Sequence, residues 1–250
     1  MNKRIGEINY NFNNERMEII TYRSATDIDI LFEDGTIVKS RVDHFKEGAV
    51  KNYNFKQIYN VGYLGYGKYK CSFNRKATKC YNTWKCMLER CYDLTCKLKH
   101  PTYQDCIVCE EWHNYQNFAK WYDENFYQIN NKTMELDKDI LVKGNKVYSP
   151  ENCIFVSNDI NVLFTNRKLH RGTLPIGVYY VKSRNRYIAR VNRNGKSCDL
   201  VGYCKTPEEA FLKYKKAKEN EIKRIANNYR QFIPLKLYEA MINYEVDILD

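Results

Sequence analysis

The chain has 250 residues, more than the roughly 100 to 200 of one typical domain, so two or three modest domains are expected. Apolar residues make up 44% of it and aromatic residues 14%, which excludes a disordered, linker-like chain. No stretch approaches the roughly 18 consecutive apolar residues of a bilayer span, and the polar start predicts no secretory signal. We therefore expect a cytoplasmic protein without a membrane partner, whose ten cysteines form no structural disulfides.

Positive charge is concentrated in the C-terminal third of the chain. The net charge is +11, and residues 171–230 hold 15 lysines and arginines against 5 aspartates and glutamates. Such a field attracts phosphate backbones through counterion release, and an acidic lipid surface would attract it too. Nucleic acid is favoured because the charges alternate with aromatic residues and no amphipathic Leu and Phe helix face accompanies them.

The first 60 residues alternate apolar and polar side chains over residues 17–22, 28–32 and 36–38. Asp34-Gly35 separates the last two runs, which is a strong signal for a β-hairpin. We predict a small antiparallel sheet or barrel over residues 1–60. It resembles the Src-homology or Tudor-like barrels that accompany phage DNA-acting proteins. A glycine-rich joint at residues 62–67 follows.

Residues 82–124 change to helical spacing, with two helices flanking a loop around His100-Pro101. The three tryptophans, Trp84, Trp112 and Trp121, are predicted to lie in the core. The spacing of Cys106 and Cys109 suits half of a zinc knuckle, but Cys86, Cys91 and Cys96 are each five apart, so a helix would spread them around its circumference. We therefore favour small buried thiols over a zinc site.

Residues 134–159 have the order hairpin then helix, with strand patterns at 134–140 and 147–156, a turn at Gly144-Asn145 and a helix start at Ser157. The stretch from about residue 81 to 165 resembles the phage members of the HNH nuclease family. The matching pieces are Trp84 to Tyr92, Val108 to Trp112, Leu136-Asp137-Lys138-Asp139, Tyr148 to Cys153, and Asn161. The resemblance implies a ββα unit that holds one divalent ion, Mg²⁺ or another, within residues 61–168.

The resemblance also implies roles for four residues of that unit. Asp137 would bind the metal ion, Asn152 would brace the hairpin, Asn161 would be the ligand on the helix, and Lys138 stands where the family has its general-base histidine. An unperturbed lysine has a pKa of about 10.4 and holds its proton at neutral pH, and the neighbouring Asp139 favours that charged form.

Several alternatives therefore stay open for this segment. His113, His100 or Asp139 could replace the missing base. The hairpin could instead be a degenerate scaffold that only docks on DNA, and Asp137 with Asp139 could be surface acids flanking a turn.

The C-terminal segment shows three strand patterns, 177–182, 186–192 and 197–202, and then a helix that starts with the capping box Thr206-Pro207-Glu208-Glu209. Because side chains alternate along a strand, Tyr187, Ala189 and Val191 are predicted to face the helix. Arg186, Ile188, Arg190 and Asn192 then face outwards.

This segment resembles the APETALA-type, integrase-like DNA-binding domain of plant transcription factors and phage homing endonucleases. The matching pieces are Gly177 to Tyr180, Arg186 to Val191, Gly195-Lys196, Val201 to Tyr203, and Thr206 to Ala210. The resemblance implies a sheet that enters the major groove and a helix that braces it. The residues predicted to contact DNA are Tyr179, Arg184, Arg186, Arg190, Asn192, Arg193 and Lys196. Tyr179 stands where the plant family usually has a groove-reading arginine, so its base preference does not transfer; the alternative is a sheet whose arginines are merely solvated.

Together these patterns predict an α+β chain. Its segments are a small β-rich domain at 1–60, an HNH-like ββα domain with flanking helices at 61–168, a three-stranded antiparallel sheet plus helix at 174–225, and a helical tail at 226–250 that packs back or pairs protomers. The favoured function is a phage-type, site-directed endonuclease that hydrolyses double-stranded DNA with a divalent metal. The alternatives are a non-cleaving DNA-binding regulator and a phage protein whose basic surface binds a host defence factor.

Overall fold

The computed structural model describes residues 4–165, 173–193 and 196–250. The chain forms two compact units, Met1–Asp123 and Glu124–Asp250. Small antiparallel sheets and, among the described residues, seven α-helices confirm the α+β class. The boundary falls inside the predicted 61–168 segment, so residues 61–123 belong to the first unit and residues 124–168 to the second. No helix in the described part of the chain is long and apolar enough to cross a membrane.

The first unit begins with a four-stranded antiparallel meander and one short helix. The elements are β1 (Ile8–Tyr10), β2 (Arg16–Ser24), β3 (Asp27–Phe32), β4 (Ile37–Ser40) and α1 (Val42–Glu47). Alternation places Met17, Ile19 and Ile30 on one fully buried face, which packs against Phe45 of α1. The predicted turn at Asp34-Gly35 is confirmed, with Gly35 at a φ of +83°.

The rest of the first unit is mostly helical. Its elements are β5 (Ser72–Phe73), β6 (Lys76–Ala77), α2 (Lys79–Tyr92), α3 (Leu94–Lys99), β7 (Ile107–Val108) and α4 (Tyr115–Asn125). Trp84, Trp112 and Trp121 are buried as predicted, with the rings of the last two 4.7 Å apart. The prediction of buried thiols is correct for Cys91 and Cys106, whereas Cys96 and Cys109 are half-buried. It is wrong for Cys86, which is exposed because its five-residue spacing from Cys91 turns it to the other side of α2.

The second unit contains the hairpin, the sheet and the C-terminal helices. Its elements are β8 (Met134–Asp137), β9 (Val147–Tyr148), β10 (Ile154–Ser157), α5 (Asn158–Asn161), β11 (Val178–Val181), β12 (Arg186–Arg193), β13 (Lys196–Asp199), α6 (Pro207–Tyr229) and α7 (Leu235–Ile242). β8 pairs antiparallel with β10, placing Asp137 opposite Ile154, and α5 follows directly. β11, β12 and β13 form a three-stranded antiparallel sheet.

The sheet and α6 form as the sequence predicts. Thr206 Oγ1 accepts a hydrogen bond from the Glu209 backbone N–H at 3.2 Å, and Pro207 is the first helical residue. Ala189 and Val191, each 1% exposed, belong to the core that α6 covers. The match at Gly195 and the break at Arg171-Gly172 lie outside the described residues.

A second core lies under the hairpin. Ile222 and Ala226 of α6 are fully buried there together with Leu237 and Met241 of α7 and hairpin residues such as Val156. The predicted helical tail therefore packs back onto the chain. The segments 174–225 and 226–250 are also not separate in structure, because α6 runs on to Tyr229 and joins both.

Candidate functional site

One face of the hairpin carries the candidate metal ligands. Side chains alternate along β8, so Glu135 and Asp137 lie on the same face of the strand. Their cross-strand partners on β10 are Val156 and Ile154, which belong to the core under the hairpin. On that face the Nδ2 atoms of Asn158 and Asn161 both donate hydrogen bonds to the Glu135 carboxylate. Glu135 thus shares its strand face with Asp137 and is hydrogen-bonded to Asn161.

The Asp137 carboxylate is held by the backbone that follows it. Its Oδ1 accepts hydrogen bonds from the N–H groups of Asp139 and Ile140, both at 2.8 Å. Burial raises the pKa of Asp137 to about 6, and the nearby charge of Asp139 adds to the rise. Within the described ranges its Oδ2 accepts no hydrogen bond. The charge of the neighbouring Lys138 opposes the rise.

Lys138 is buried rather than presented to solvent. It is 6% exposed, its Nζ lies 2.9 Å from Asp139 Oδ2, and the same ammonium lies 5.9 Å from the ring centroid of Tyr148. An ammonium that donates to a carboxylate has no lone pair with which to accept a proton. The geometry therefore suits Lys138 as a cation. Its ion-pair partner is Asp139, one of the residues considered as a substitute base.

Asn152 acts through a second asparagine. Its Nδ2 donates to Asn145 Oδ1 at 3.3 Å, and Asn145 Nδ2 in turn donates to the carbonyls of Lys138 and Val147 at 2.7 and 2.8 Å. Asn145 thereby fixes the loop that follows β8, and Asn152 supports it. Asn145 was predicted only as part of a turn, because its two carbonyl partners become neighbours only in the folded loop.

The two histidines considered as substitute bases belong to the first unit. His113 Nε2 lies 3.2 Å from the Val108 carbonyl and 3.3 Å from the Tyr92 hydroxyl, and burial lowers the pKa of its imidazole. His100 packs against the ring of Tyr103. Both histidines therefore contribute to the local packing of the first unit.

The donor set of the hairpin suits a hard divalent ion. Carboxylate and amide oxygens from Asp137, Glu135 and Asn161 match the preference of Mg²⁺ more closely than that of zinc. In residues 4–165, 173–193 and 196–250 no three His, Cys, Asp or Glu side chains cluster as a metal site. An ion here would therefore depend on two carboxylates, an amide oxygen and water. Sequence reasoning missed Glu135, although its two-residue spacing from Asp137 on a strand was the available signal.

The outer face of the C-terminal sheet presents the predicted DNA contacts. Arg186 and Asn192 are exposed, and Tyr179 is 47% exposed. Arg190 is anchored, since its Nε donates to Asp199 Oδ1 and its guanidinium lies 4.5 Å over the ring of Tyr179. Ile188 was predicted to face outwards with them, but it is only 8% exposed. Tyr179, directly opposite it on β11, is the cross-strand neighbour expected to cover it.

The remaining predicted contacts lie at the ends of the sheet. Arg184, in the turn between β11 and β12, lies 5.0 Å over the ring of Tyr203. Arg193 and Lys196 face each other at the end of the β12–β13 hairpin, and both are exposed. By the alternation of β12, Arg193 belongs to the helix side of the sheet, where its charge helps to lower the pKa of Glu221.

Comparison with protein-family models, curated proteins and solved structures finds no match to this chain. The function must therefore be argued from the chemistry of the hairpin face and of the cationic sheet. Both belong to the second unit, and both pack against α6.

Proposed function

We propose that the chain is a site-directed, metal-dependent DNA endonuclease of the phage HNH type that acts in the cytoplasm. The β11–β13 sheet binds double-stranded DNA, and the β8–β10 hairpin with α5 hydrolyses a phosphodiester bond. The observation that carries the proposal is that Glu135 shares a face of β8 with Asp137 and is hydrogen-bonded to Asn161 of α5, in the unit that also bears the cationic sheet.

Asp137, Glu135 and Asn161 would hold the divalent ion. When bound, the ion supplies Lewis-acid activation of the phosphodiester and of water. The two backbone N–H groups fix one oxygen of Asp137, leaving the other for the ion. Lys138 is assigned a structural role in place of the general base, because its ammonium closes the loop against Asp139 and Tyr148.

The sheet supplies affinity and orientation. Arg186, Arg193 and Lys196 provide exposed charge for phosphates, which position the protein without reading sequence. Arg190 has a fixed orientation through Asp199 and Tyr179. An arginine held in this way can direct its terminal nitrogens at O6 and N7 of one guanine.

Asp199→Asn tests that anchoring. The substitution removes one negative charge beside the DNA face and weakens the hold on Arg190. We expect unrelated duplex DNA to bind several-fold tighter at low salt, with discrimination between sequences reduced, and the free energy of unfolding to change by less than about 0.5 kcal/mol because the ion pair is exposed. Binding measurements on a randomised duplex pool would check both; unaltered discrimination would show that Asp199 does not position Arg190.

The proposal as a whole is tested on supercoiled plasmid. Wild-type protein with Mg²⁺ or Mn²⁺ should convert it to nicked or linear DNA, and EDTA should prevent the conversion. Electrophoretic mobility of a short duplex, measured in parallel with EDTA, reports binding without cleavage.

A non-cleaving DNA-binding protein is the second candidate. The observation that favours it is the Lys138–Asp139 ion pair in the position where the family has its base. Duplex binding together with intact plasmid under both metal ions would select this function over the first.

A further inference from the structure

Helix α6 belongs to two hydrophobic cores at once. Near its start, Ala210 and Tyr214 pack against the sheet, and near its end, Ile222 and Ala226 pack against the hairpin and α7. Ala210 and Ile222 are both fully buried. They are roughly 18 Å apart along the helix axis at 1.5 Å per residue.

The C-terminal segment joins the same two cores. Tyr244 packs against both, and Val246, 3% exposed, lies in the sheet core. Lys215 Nζ donates to the Val246 carbonyl at 2.8 Å, and the Val246 N–H donates to Glu219 Oε1 at 2.9 Å. Because close-packed interiors do not deform continuously, moving the sheet relative to the hairpin would require one of the cores to open.

A groove of about 620 Å³ runs beside the middle of α6, bordered by Asn192 of the sheet and Asn158 of the hairpin helix. Two of its three cations are already paired, Lys132 with Asp159 and Arg224 with Glu221, both at 2.7 Å. The third is Lys218. Burial lowers the pKa of Lys218, and the nearby charge of Glu221 opposes that shift.

We propose that α6 sets a fixed distance between the bases held by the sheet and the phosphodiester held by the hairpin, and that the intervening DNA backbone lies in this groove beside Lys218. The inference rests on the DNA binding of the proposed function but not on cleavage. A phosphate in the groove would be a counter-charge for the Lys218 ammonium, which lines it.

The first experiment maps the protected stretch of the DNA backbone by hydroxyl-radical footprinting in EDTA. Lys218→Gln should lose protection between the sheet contacts and the hairpin contacts, and reduce the slope of log affinity against log salt by about one. Lys216→Gln is the matched control, since Lys216 is exposed and two residues turn it to another side of α6. If the Lys218→Gln footprint is identical to that of wild type, the DNA backbone does not lie in the groove beside Lys218.

The second experiment tests the spacing. Four Gly and Ser residues inserted between Thr165 and Thr173 lengthen the chain that connects the hairpin to the sheet, but leave α6 unchanged. We expect one footprint of unchanged length; a longer footprint, or several registers, would overturn the fixed distance. Wild-type protein that binds no duplex would instead contradict the proposed function, so the two failures are distinguishable.

Discussion

Asp137→Asn is expected to reduce metal-dependent nicking at least about 100-fold while leaving duplex affinity unchanged. Asparagine keeps an acceptor for the N–H groups of Asp139 and Ile140, so the turn after β8 is preserved. It removes the anionic ligand, however, and outer-shell substitutions alone typically cost about 10- to 100-fold in metal sites. Plasmid nicking in Mg²⁺ and duplex affinity in EDTA separate the two effects.

The same substitution should stabilise the protein at neutral pH. The folded pKa of Asp137, about 6, lies above its ordinary value, so at pH 7 the folded state carries a carboxylate that burial disfavours. Asparagine should therefore raise the free energy of unfolding at pH 7 by about 1 to 2 kcal/mol. This advantage should shrink as the pH falls from about 6 towards 4, where the folded wild type takes up a proton.

Denaturant unfolding at pH 7 and pH 4.5 measures that difference. Asp105→Asn is the control, because Asp105 is an exposed aspartate of the first unit and should change neither nicking nor stability. Nicking that survives Asp137→Asn would place the hydrolytic site elsewhere in the chain.

Local patterns explain the parts of the fold that the sequence predicted. The alternation in β2, β3 and β12, the Asp34-Gly35 turn and the capping box of α6 are each determined by residues within a few positions of one another. Such signals also state which face of a strand turns inwards. They do not predict which side chains pack on the other face, so the burial of Ile188 was not predicted.

The unforeseen parts of the site depend on residues that meet only after folding. Lys138 is 6% exposed, and its ammonium lies 5.9 Å from the ring centroid of Tyr148, ten positions later. Glu135 gains its role from Asn161, twenty-six residues away. The sharing of α6 between two cores likewise needed the positions of α7 and the hairpin, because the apolar spacing of α6 is compatible with one partner or with two.

Arg186→Ala combined with Arg190→Ala is expected to weaken duplex binding by roughly 30-fold or more. Each lost contact to a base or phosphate costs about 1 to 3 kcal/mol, and removing cations lowers the salt dependence. Arg186 is exposed and Arg190 is half-exposed on the outer face, so the loss should come from binding rather than from folding. Fluorescence anisotropy of a labelled duplex at several salt concentrations measures affinity and slope together.

A control variant with the same change in net charge distinguishes binding by the sheet surface from attraction by the total charge of the protein. Lys39→Ala with Arg41→Ala also removes two exposed cations, but from the first unit, and should leave the affinity within about two-fold if the sheet is the binding surface. Equal losses in both variants would mean that only net charge matters. If the wild type binds no duplex even at low salt, the basic surface does not bind DNA. The third interpretation, an acidic protein partner such as a host defence factor, would then apply, with the same basic residues as the contacts.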